Sequence, residues 1–101
     1  MREQFDLYDL NGTRDLKGVC LISAGQYANL ETLVVVPVFH GPPDEPRLPI
    51  HTEIDFAGHQ YTAKFELLAS IPAASLGEKI GHIREQKYEL KNALDRLIAG
   101  Y

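Results

Sequence analysis

The feature that most constrains the fold is an apolar run at residues 33–39, LVVVPVF, in which branched side chains are interrupted by one proline. Branched aliphatic residues favour strands, so the run predicts a β-strand. Pro37 has no N–H to donate to a neighbouring strand, which predicts that this strand lies at a sheet edge or carries a bulge at the proline. An apolar edge is a natural docking place for a second copy, so the run also predicts a homodimer interface.

Further strands are predicted on both sides of this run. Apolar and polar residues alternate in QFDLYDL (4–10), VCLI (19–22) is short and apolar, and residues 50–67 alternate around a turn at 57–58, which predicts a hairpin. The hairpin should face the core with one apolar side and place a charged row, His51, Glu53 and Asp55, in water. Four prolines within residues 41–49 predict an irregular surface loop.

The last third of the chain changes character. Gly77 and Gly81 predict a turn or short helical piece after a strand that ends at Pro72. From about residue 84 the apolar residues follow helical spacing to the terminus, which predicts a final helix. A chain of 101 residues supplies one hydrophobic core. The elements therefore predict a single domain over residues 1–101, of α+β class and mostly β.

Composition narrows the classes of function. The net charge of −4 and the pI near 5.5 argue against a predominantly electrostatic grip on nucleic acid or on an anionic membrane. Cys20, the single cysteine, predicts a reducing compartment and hence the cytoplasm. The sequence shows no secretory signal and no apolar window of bilayer length, so no membrane association is expected. These features favour a protein partner.

The sequence contains no recognisable active-site motif. Its four histidines lack the spacing of metal ligands, so neither a metal nor another cofactor is expected. His51, Glu53 and Asp55 share a strand face, as a catalytic cluster would, but a solvated hairpin face has the same pattern. Cys20 lies in an apolar strand, which predicts a buried small hydrophobe. The residues by themselves favour binding over catalysis, and we expect no enzyme activity.

The stretch LASIPAASLGEKIGHI, followed by ELKNALDRLIAGY, resembles the C-terminal end of the CcdB family, toxins of toxin-antitoxin modules. The Ser-Ile-Pro step, the Gly-Glu pair, the Lys-Asn-Ala segment and the penultimate glycine share the family's order and spacing. QFDLY and VVVPV extend the resemblance over most of the chain. It implies a homodimer in which each subunit is an SH3-like antiparallel barrel or sheet, with a small side sheet and one C-terminal α-helix.

The resemblance also implies a function. Members of the family are not enzymes: they bind the DNA gyrase A subunit and trap gyrase with its DNA cleaved. A CcdA-like antitoxin with a disordered tail neutralises them, and toxin and antitoxin together bind operator DNA and repress their own operon. The implied partners of this chain are therefore gyrase, the antitoxin, a second copy and, only together with the antitoxin, operator DNA.

The resemblance further implies which residues contact gyrase. The family typically ends in Trp-Gly-Ile, with the tryptophan stacked on a gyrase arginine, and this chain ends in Ala99, Gly100 and Tyr101. The glycine matches, Ala99 cannot stack, and Tyr101 either carries the aromatic contact or packs on the sheet. The other implied contacts lie in the helix and near the first strands: Asp95, Gln4, Phe5, Tyr8 and Ser23.

Two alternatives stay open from the sequence. Ala99 is consistent with a degenerate relative that has kept antitoxin binding and lost gyrase poisoning. The ribonuclease toxins related to MazF and Kid share the fold, and His51 with Arg47, or Arg14 with Asp15, could form a ribonuclease set. The acidic composition counts against that second alternative, because RNA is drawn to a basic groove.

Overall fold

The computed structural model describes residues 2–10, 16–42 and 48–100. These residues form strands and one helix, in the order β1 Asp6–Leu10, β2 Leu16–Leu21, β3 Thr32–His40, β4 His51–Phe56, β5 His59–Lys64, β6 Ala69–Pro72, β7 Leu76–His82 and α1 Lys87–Ala99. Short 3₁₀ turns lie at Gly25–Tyr27, Phe65–Leu67, Ala73–Ser75 and Arg84–Gln86.

All the strand pairs are antiparallel. The order across the sheet is β4-β5-β3-β2-β1-β7, and β6 branches from β3 beside β5. The predicted fold class, mostly antiparallel β with one C-terminal helix, is confirmed. The sheet is open, because β4 and β7 stand at its two ends.

The central strands β1, β2 and β3 are buried on both faces. Alternate residues of a strand point to opposite faces, and here both sets enter apolar clusters. One cluster, which includes Leu90 and Ala93 of α1, takes Leu7, Cys20, Val36 and Val38 from these strands; the other takes Tyr8, Val19, Leu21, Leu33 and Val35. Burial on both faces explains why the sequences of β2 and β3 read as nearly continuous apolar runs.

The prediction that β3 is an edge strand, or is bulged at Pro37, is wrong. β3 lies between β2 on one side and both β5 and β6 on the other. Residues 32–35 pair with β6 and residues 38–40 pair with β5. The Val34 N–H points toward β2, where it donates to Ser23 Oγ. Since backbone groups alternate along an antiparallel strand, the Pro37 nitrogen points to the opposite side, where β3 changes partners.

The apolar run at 33–39 therefore belongs to the core. Leu33, Val36 and Val38 are fully buried, and burial of this kind leaves no apolar edge for a second copy to cover. Large apolar side chains are exposed elsewhere, at Tyr27, Leu30, Leu48, Leu67, Tyr88 and Ile98. The expectation of a homodimer consequently rests on the family resemblance and no longer on this run.

The predicted hairpin is confirmed as β4 and β5, which pair from His51 with Lys64 to Phe56 with His59. Both turn residues, Ala57 and Gly58, have positive φ, as a two-residue hairpin turn requires. His51 departs from the predicted charged row, because its side chain is buried.

A 3₁₀ turn, Ala73–Ser75, follows Pro72, but the segment around Gly77 and Gly81 is strand β7 rather than a turn or helix, and it pairs with β1 along most of its length. Gly81 lets this strand approach the hairpin. A Cβ at Gly81 would lie 2.7 Å from the ring of Phe56, so only glycine leaves room for that ring. Gly81, one of the two glycines that predict a break in the sequence, therefore serves close packing between strands.

Candidate functional site

The C-terminal end of α1 is an exposed surface. Asp95, Ala99 and Gly100, three of the predicted contact residues, are exposed. Ile98 extends this surface with an apolar side chain that is 72% exposed. Tyr101 lies outside the described residues. The helix end therefore combines one carboxylate with small and branched apolar groups that face solvent.

Local geometry explains why the helix ends at this point. Gly100 adopts a left-handed conformation with φ of 81°, and its N–H donates to the Arg96 carbonyl oxygen at 2.9 Å. This arrangement closes a helix and favours glycine, since other residues are strained at positive φ. Leu94 and Leu97 anchor the last turns against the apolar cluster beneath the helix.

The predicted contact residues near the first strands make internal contacts. Gln4 Nε2 donates to the Ile22 carbonyl oxygen at 2.9 Å, and Ser23 Oγ accepts the Val34 N–H at 2.9 Å. Phe5 is buried in the same cluster as the inner face of α1. These side chains join the N-terminal segment to β2 and β3, and they do not line the clefts beside the helix.

Asp6 is a fully buried carboxylate with an extensive set of partners. Its oxygens lie 2.8 Å from Arg84 Nη1 and 3.2 Å from Lys79 Nζ, and they accept the Glu3 N–H at 2.8 Å and the Tyr8 hydroxyl at 3.2 Å. Burial works to raise the pKa of Asp6, but the hydrogen bonds from Glu3, Arg84 and Lys79 outweigh it and leave that pKa below its ordinary value. The cluster holds β1, β7 and the turn before α1 together.

A polar groove of about 420 Å³ runs between β4 and α1. Because β4 is an end strand, one side of its backbone faces this groove. The side-chain amide of Gln86 occupies that side: Oε1 accepts the Asp55 N–H at 3.2 Å, and Nε2 donates to the Asp55 carbonyl oxygen at 3.1 Å. A neighbouring strand would form the same pair of bonds with this residue.

The described lining of the groove is mostly acidic. Among the residues that the structure describes, its charged side chains are Glu53, Asp55, Glu89 and Arg96, three acidic and one basic. The remaining lining is polar or small and includes Thr52, Asn92 and Ala93. Such a surface repels phosphate groups and attracts cationic side chains.

A smaller cleft of about 240 Å³ lies at the end of α1. Leu48, Pro49 and Ile50 form its apolar wall, and Arg96 and Gly100 line it from the helix. Pro49 and Arg96 line both the groove and the cleft, so the two lie next to each other along α1.

His51 lies on the wall of the groove with both ring nitrogens engaged. Nδ1 accepts the Leu48 N–H at 3.3 Å, so the ring proton is on Nε2, which donates to Glu66 Oε2 at 2.7 Å. This buried, bonded imidazole braces the start of β4. Its proposed ribonuclease partner Arg47, like Arg14 and Asp15, lies outside the described residues.

Cys20 and metal chemistry offer no site among the described residues. Burial, followed by the negative charge of Asp6, raises the pKa of the Cys20 thiol far above its usual range, so this sulfur is not a thiolate nucleophile. Within residues 2–10, 16–42 and 48–100, no three His, Cys, Asp or Glu side chains are placed to hold a metal ion. The described part of the chain also has no helix that is long and apolar enough to cross a bilayer.

A family model described as CcdB protein matches residues 4–100 of the chain. The chain belongs to the CcdB family. The CcdB match spans every strand and the whole of α1, well beyond the C-terminal third that carries the closest resemblance. It also contains the groove, the cleft and Gly100, so these belong to the CcdB domain itself. No curated protein sequence matches the chain significantly.

Solved structures of other toxins share the fold of this CcdB-family chain. A mycobacterial endoribonuclease in complex with its cognate antitoxin is 12% identical, with a TM-score of 0.78 over 98% of this chain and 96% of that one. Mycobacterium tuberculosis toxin MazF-mt6 is 17% identical, with a TM-score of 0.73 over 96% of this chain and 97% of that one. At these identities the likeness establishes a common fold, not a common activity.

The sequence did not point to Gln86, Arg96 or Asp6. Gln86 precedes the helix in an ordinary polar stretch, and nothing in the spacing connects it to Asp55. Asp6 did carry a signal, because a carboxylate set between Phe5 and Leu7 in a strand buried on both faces must find partners. The need for partners at Asp6 can be inferred only once it is known that both faces of β1 are buried.

Proposed function

We propose that this CcdB-family chain is the toxin of a toxin-antitoxin module and binds the DNA gyrase A subunit with the end of α1. The observation that carries the proposal is the exposed helix end, with Asp95, Ile98 and Ala99 in solvent beside a left-handed Gly100 at the family's glycine position. Tyr101 is the proposed aromatic contact. Family membership supplies the expected target, and the expected compartment is the cytoplasm.

The proposal gives the other predicted contact residues an indirect role. Gln4, Phe5, Tyr8 and Ser23 are bonded or packed within the protein, so they support the surface that the partner meets. The proposed partners are a second copy of the chain, a CcdA-like antitoxin and, with that antitoxin, operator DNA. An antitoxin partner is supported by the endoribonuclease of the same fold that was solved with its cognate antitoxin.

Ribonuclease activity is the less favoured function. The shared fold makes it a candidate, since two solved structures with this fold are described as endoribonucleases. The groove beside His51 is acidic, however, and both nitrogens of that imidazole are hydrogen-bonded. An RNA-cleaving site needs a groove that attracts phosphate and a group that is able to exchange protons with substrate.

A cleavage assay with gyrase tests the proposal directly. Purified protein, shown to be a dimer by sedimentation, is incubated with supercoiled DNA, ATP and gyrase from the same host, and the mixture is denatured with detergent. We expect linear DNA that is covalently bound to gyrase. Ile98→Asp should abolish this product, because it places a charge in the contact surface. Tyr88→Asp is the matched control, since Tyr88 is equally exposed, at 71%, near the other end of the helix.

Other outcomes separate the alternatives. A folded protein that yields no cleaved DNA, and whose expression without antitoxin leaves growth normal, would identify a relative that has lost poisoning. Cleavage of a purified transcript by the wild-type protein would favour the ribonuclease. DNA cleavage that survives in the Ile98 variant would place the gyrase contact away from the helix end.

A further inference from the structure

We infer that the end of the sheet where Lys17, His40 and His59 surround the ring of Tyr61 binds a phosphate-bearing anion. We call these four residues the Tyr61 cluster. They come from three neighbouring strands, β2, β3 and β5. Neither the proposed gyrase contact nor the acidic groove uses any of them, so the inference adds a site of a different chemistry.

The register of the strands puts both histidines beside the tyrosine. His40 of β3 lies directly opposite Tyr61 of β5, and His59 lies two residues before it on the same face. The ring centroid of His40 is 5.5 Å from that of Tyr61, and the centroid of His59 is 6.4 Å away. Both histidines are exposed and the tyrosine is buried, so a ligand meets the imidazoles rather than the ring beneath them.

A β-bulge places the lysine over the same ring. The register of β2 against β3 slips between Leu16 and Gly18, so Lys17 is an extra residue in the ladder. Gly18 permits the close approach of β1 at this point, because a Cβ there would lie 2.3 Å from the Tyr8 carbonyl oxygen. In this conformation the Lys17 Nζ lies 5.5 Å from the centroid of Tyr61. Bulges commonly redirect a side chain at functional sites.

The three nitrogen-bearing side chains have no anionic partner in the part of the chain that the structure describes. None of the ion pairs found there involves Lys17, His40 or His59. The Lys17 ammonium instead lies over the rings of Phe56 and Tyr61, which attract a cation without neutralising it. A cation held in this way keeps its charge for an incoming anion.

The carboxylates of the hairpin point away from the cluster. Glu53 and Asp55 of β4 lie opposite Thr62 and Gln60, whereas Tyr61 belongs to the alternate set of β5 residues. Because alternate residues of a strand point to opposite faces, these two carboxylates and the tyrosine lie on different faces of the sheet. An anion at the cluster is therefore separated from the acidic side chains of the neighbouring strand.

Hydrogen bonds fix the backbone around the cluster. The Gly41 N–H donates to the Gln60 carbonyl oxygen at 3.0 Å, and the Thr62 hydroxyl donates to the Gly41 carbonyl oxygen at 2.8 Å. These bonds join the residue that follows His40 to the residues on both sides of Tyr61. The site is thus preorganised, so little conformational entropy is lost when an anion binds.

The donors of the cluster fit a phosphate group. A lysine ammonium supplies three N–H donors and a permanent charge, and an imidazole supplies one N–H donor when neutral and two when protonated. A phosphate monoester presents three strong acceptor oxygens, one for each nitrogen-bearing side chain. A metal ion is disfavoured, because the Lys17 ammonium would lie beside it and repel it.

NMR titration of the histidine side chains tests the site. Inorganic phosphate is added to the full chain at constant pH and ionic strength, and the imidazole nitrogen signals of His40, His59 and His82 are followed. We expect saturable shifts at His40 and His59. His82 is the internal control and should not respond, because its Nδ1 lies 3.6 Å from a carboxylate oxygen of Glu85.

Lysine substitutions separate this site from a general attraction to positive charge. Lys17→Gln should raise the dissociation constant for phosphate by about tenfold, because it removes the permanent charge of the cluster. Lys87→Gln should leave it unchanged and is the matched control, since Lys87 Nζ also lies over a tyrosine, 5.4 Å from the centroid of Tyr88. Lys17→Arg keeps the charge and should bind phosphate within about threefold of the wild type. Circular dichroism confirms that the variants are folded.

A second titration identifies the source of the phosphate. A nucleoside monophosphate that shifts the same two histidines and binds at least about tenfold more tightly than inorganic phosphate would assign the site to a nucleotide. Equal affinities would assign it to free phosphate.

Three results would overturn the inference. Shifts that do not saturate, or that appear equally at His82, would show that phosphate acts without a site. Equal phosphate affinity in Lys17→Gln and Lys87→Gln would remove the lysine from it. Zinc chloride that shifts His40 and His59 where phosphate does not would make the cluster a metal site.

The proposed function and this inference are tested independently. The cluster lies at the tip of the hairpin, where His59 pairs with Phe56, whereas Ile50 precedes β4 and lines the cleft beside the helix end. Lys17→Gln should therefore trap gyrase as the wild type does. A protein that fails to trap gyrase but binds phosphate at the two histidines would leave the inference standing.

Discussion

At the scale of single residues, Asp6 is the one fully buried carboxylate in the described part of the chain. A lone carboxylate in such a position would be neutral or would destabilise the fold. Arg84 and Lys79 supply cations, and the Glu3 N–H and Tyr8 hydroxyl complete the set. The charged carboxylate therefore stabilises the fold only while all of its partners are in place.

Replacing this carboxylate should reveal its contribution. We expect Asp6→Asn to lower the free energy of unfolding at neutral pH by about 2 to 3 kcal/mol. Hydrogen bonds to a charged group are lost, Lys79 loses its carboxylate partner, and Arg84 is left with Glu3. Urea unfolding measures the difference. The matched control is Asp9→Asn, the same change at an exposed residue of the same strand, which should cost little.

The pH dependence follows from the direction of the shift. The pKa of Asp6 is lowered in the folded state, so its contribution is fully present above the unfolded value, about 3.9, and is lost as pH falls through the folded pKa. Wild type should therefore lose stability below about pH 4 more steeply than Asp6→Asn does. If the free energy of unfolding fell by the same amount with pH in the two proteins over this range, Asp6 would not be the titrating group.

At the scale of elements, strand β3 organises the molecule. It pairs with β2 along one side, and on the other it pairs first with β6 and then with β5. Pro37 stands where these two partners change, so the missing N–H costs no ladder bond. The strand is the strongest β signal in the sequence because both of its faces are buried, and the proline marks a fork between partners rather than an edge.

Gly81 of β7 lies against the ring of Phe56 in β4, so this contact brings the two end strands of the sheet together. Gly81→Ala should destabilise the protein by about 1 to 2 kcal/mol, since the new methyl group would overlap a half-buried ring. Gly25→Ala is the control, because open space surrounds that glycine. Urea unfolding gives both values.

A double-mutant cycle shows whether the cost comes from the ring itself. In a Phe56→Ala background the Gly81→Ala change should cost much less, because the atoms it would meet are gone. An unchanged cost in that background would assign the loss to the backbone of β7 instead.

Some of these elements could be predicted from sequence and others could not, for identifiable reasons. Alternation was sufficient for the hairpin, where it reflects a real difference between two faces. It also predicted β1, although both faces of that strand are buried and its polar residue Asp6 lies in an ionic cluster. It failed for β7, because Gly77 and Gly81 predict breaks. This segment forms a strand because it pairs with β1, and Gly81 makes room for the Phe56 ring. The groove could not be predicted from the sequence, because Gln86 and Asp55 are 31 residues apart. A hydrogen bond from a side-chain amide to the edge of a strand produces no periodic pattern in the sequence.

At the scale of the whole molecule, the core and the proposed contact surface are separate. The apolar run of β3 lies inside, and the end of α1 extends into solvent. Changes at the helix end should therefore alter function without unfolding the protein. Family membership was needed to see this, since the sequence alone gives a terminal glycine no functional meaning.

Restoring the family's aromatic group tests that separation. We expect Ala99→Trp to lower the concentration needed to trap gyrase by about thirtyfold, which corresponds to about 2 kcal/mol of contact energy, with no loss of stability. The gyrase cleavage assay and thermal unfolding measure the two effects. Lys91→Trp, at an exposed position earlier on the helix, is the control. If Ala99→Trp leaves trapping unchanged, gyrase is recognised through Ile98 and Tyr101 in another way.

The Asp6 cluster also determines when the protein can become active during its own synthesis. Arg84, to which Asp6 is bonded, follows it 78 positions later in the chain. At ordinary elongation rates of about 5 to 20 residues per second, the carboxylate waits several seconds for its cations. Strand β1 cannot be fully enclosed until β7 leaves the ribosome, and the helix that bears the proposed poisoning surface comes directly after it. The Asp6 cluster of the nascent chain thus stays incomplete until Arg84 and β7 have been made, so translation itself delays the enclosure of this carboxylate.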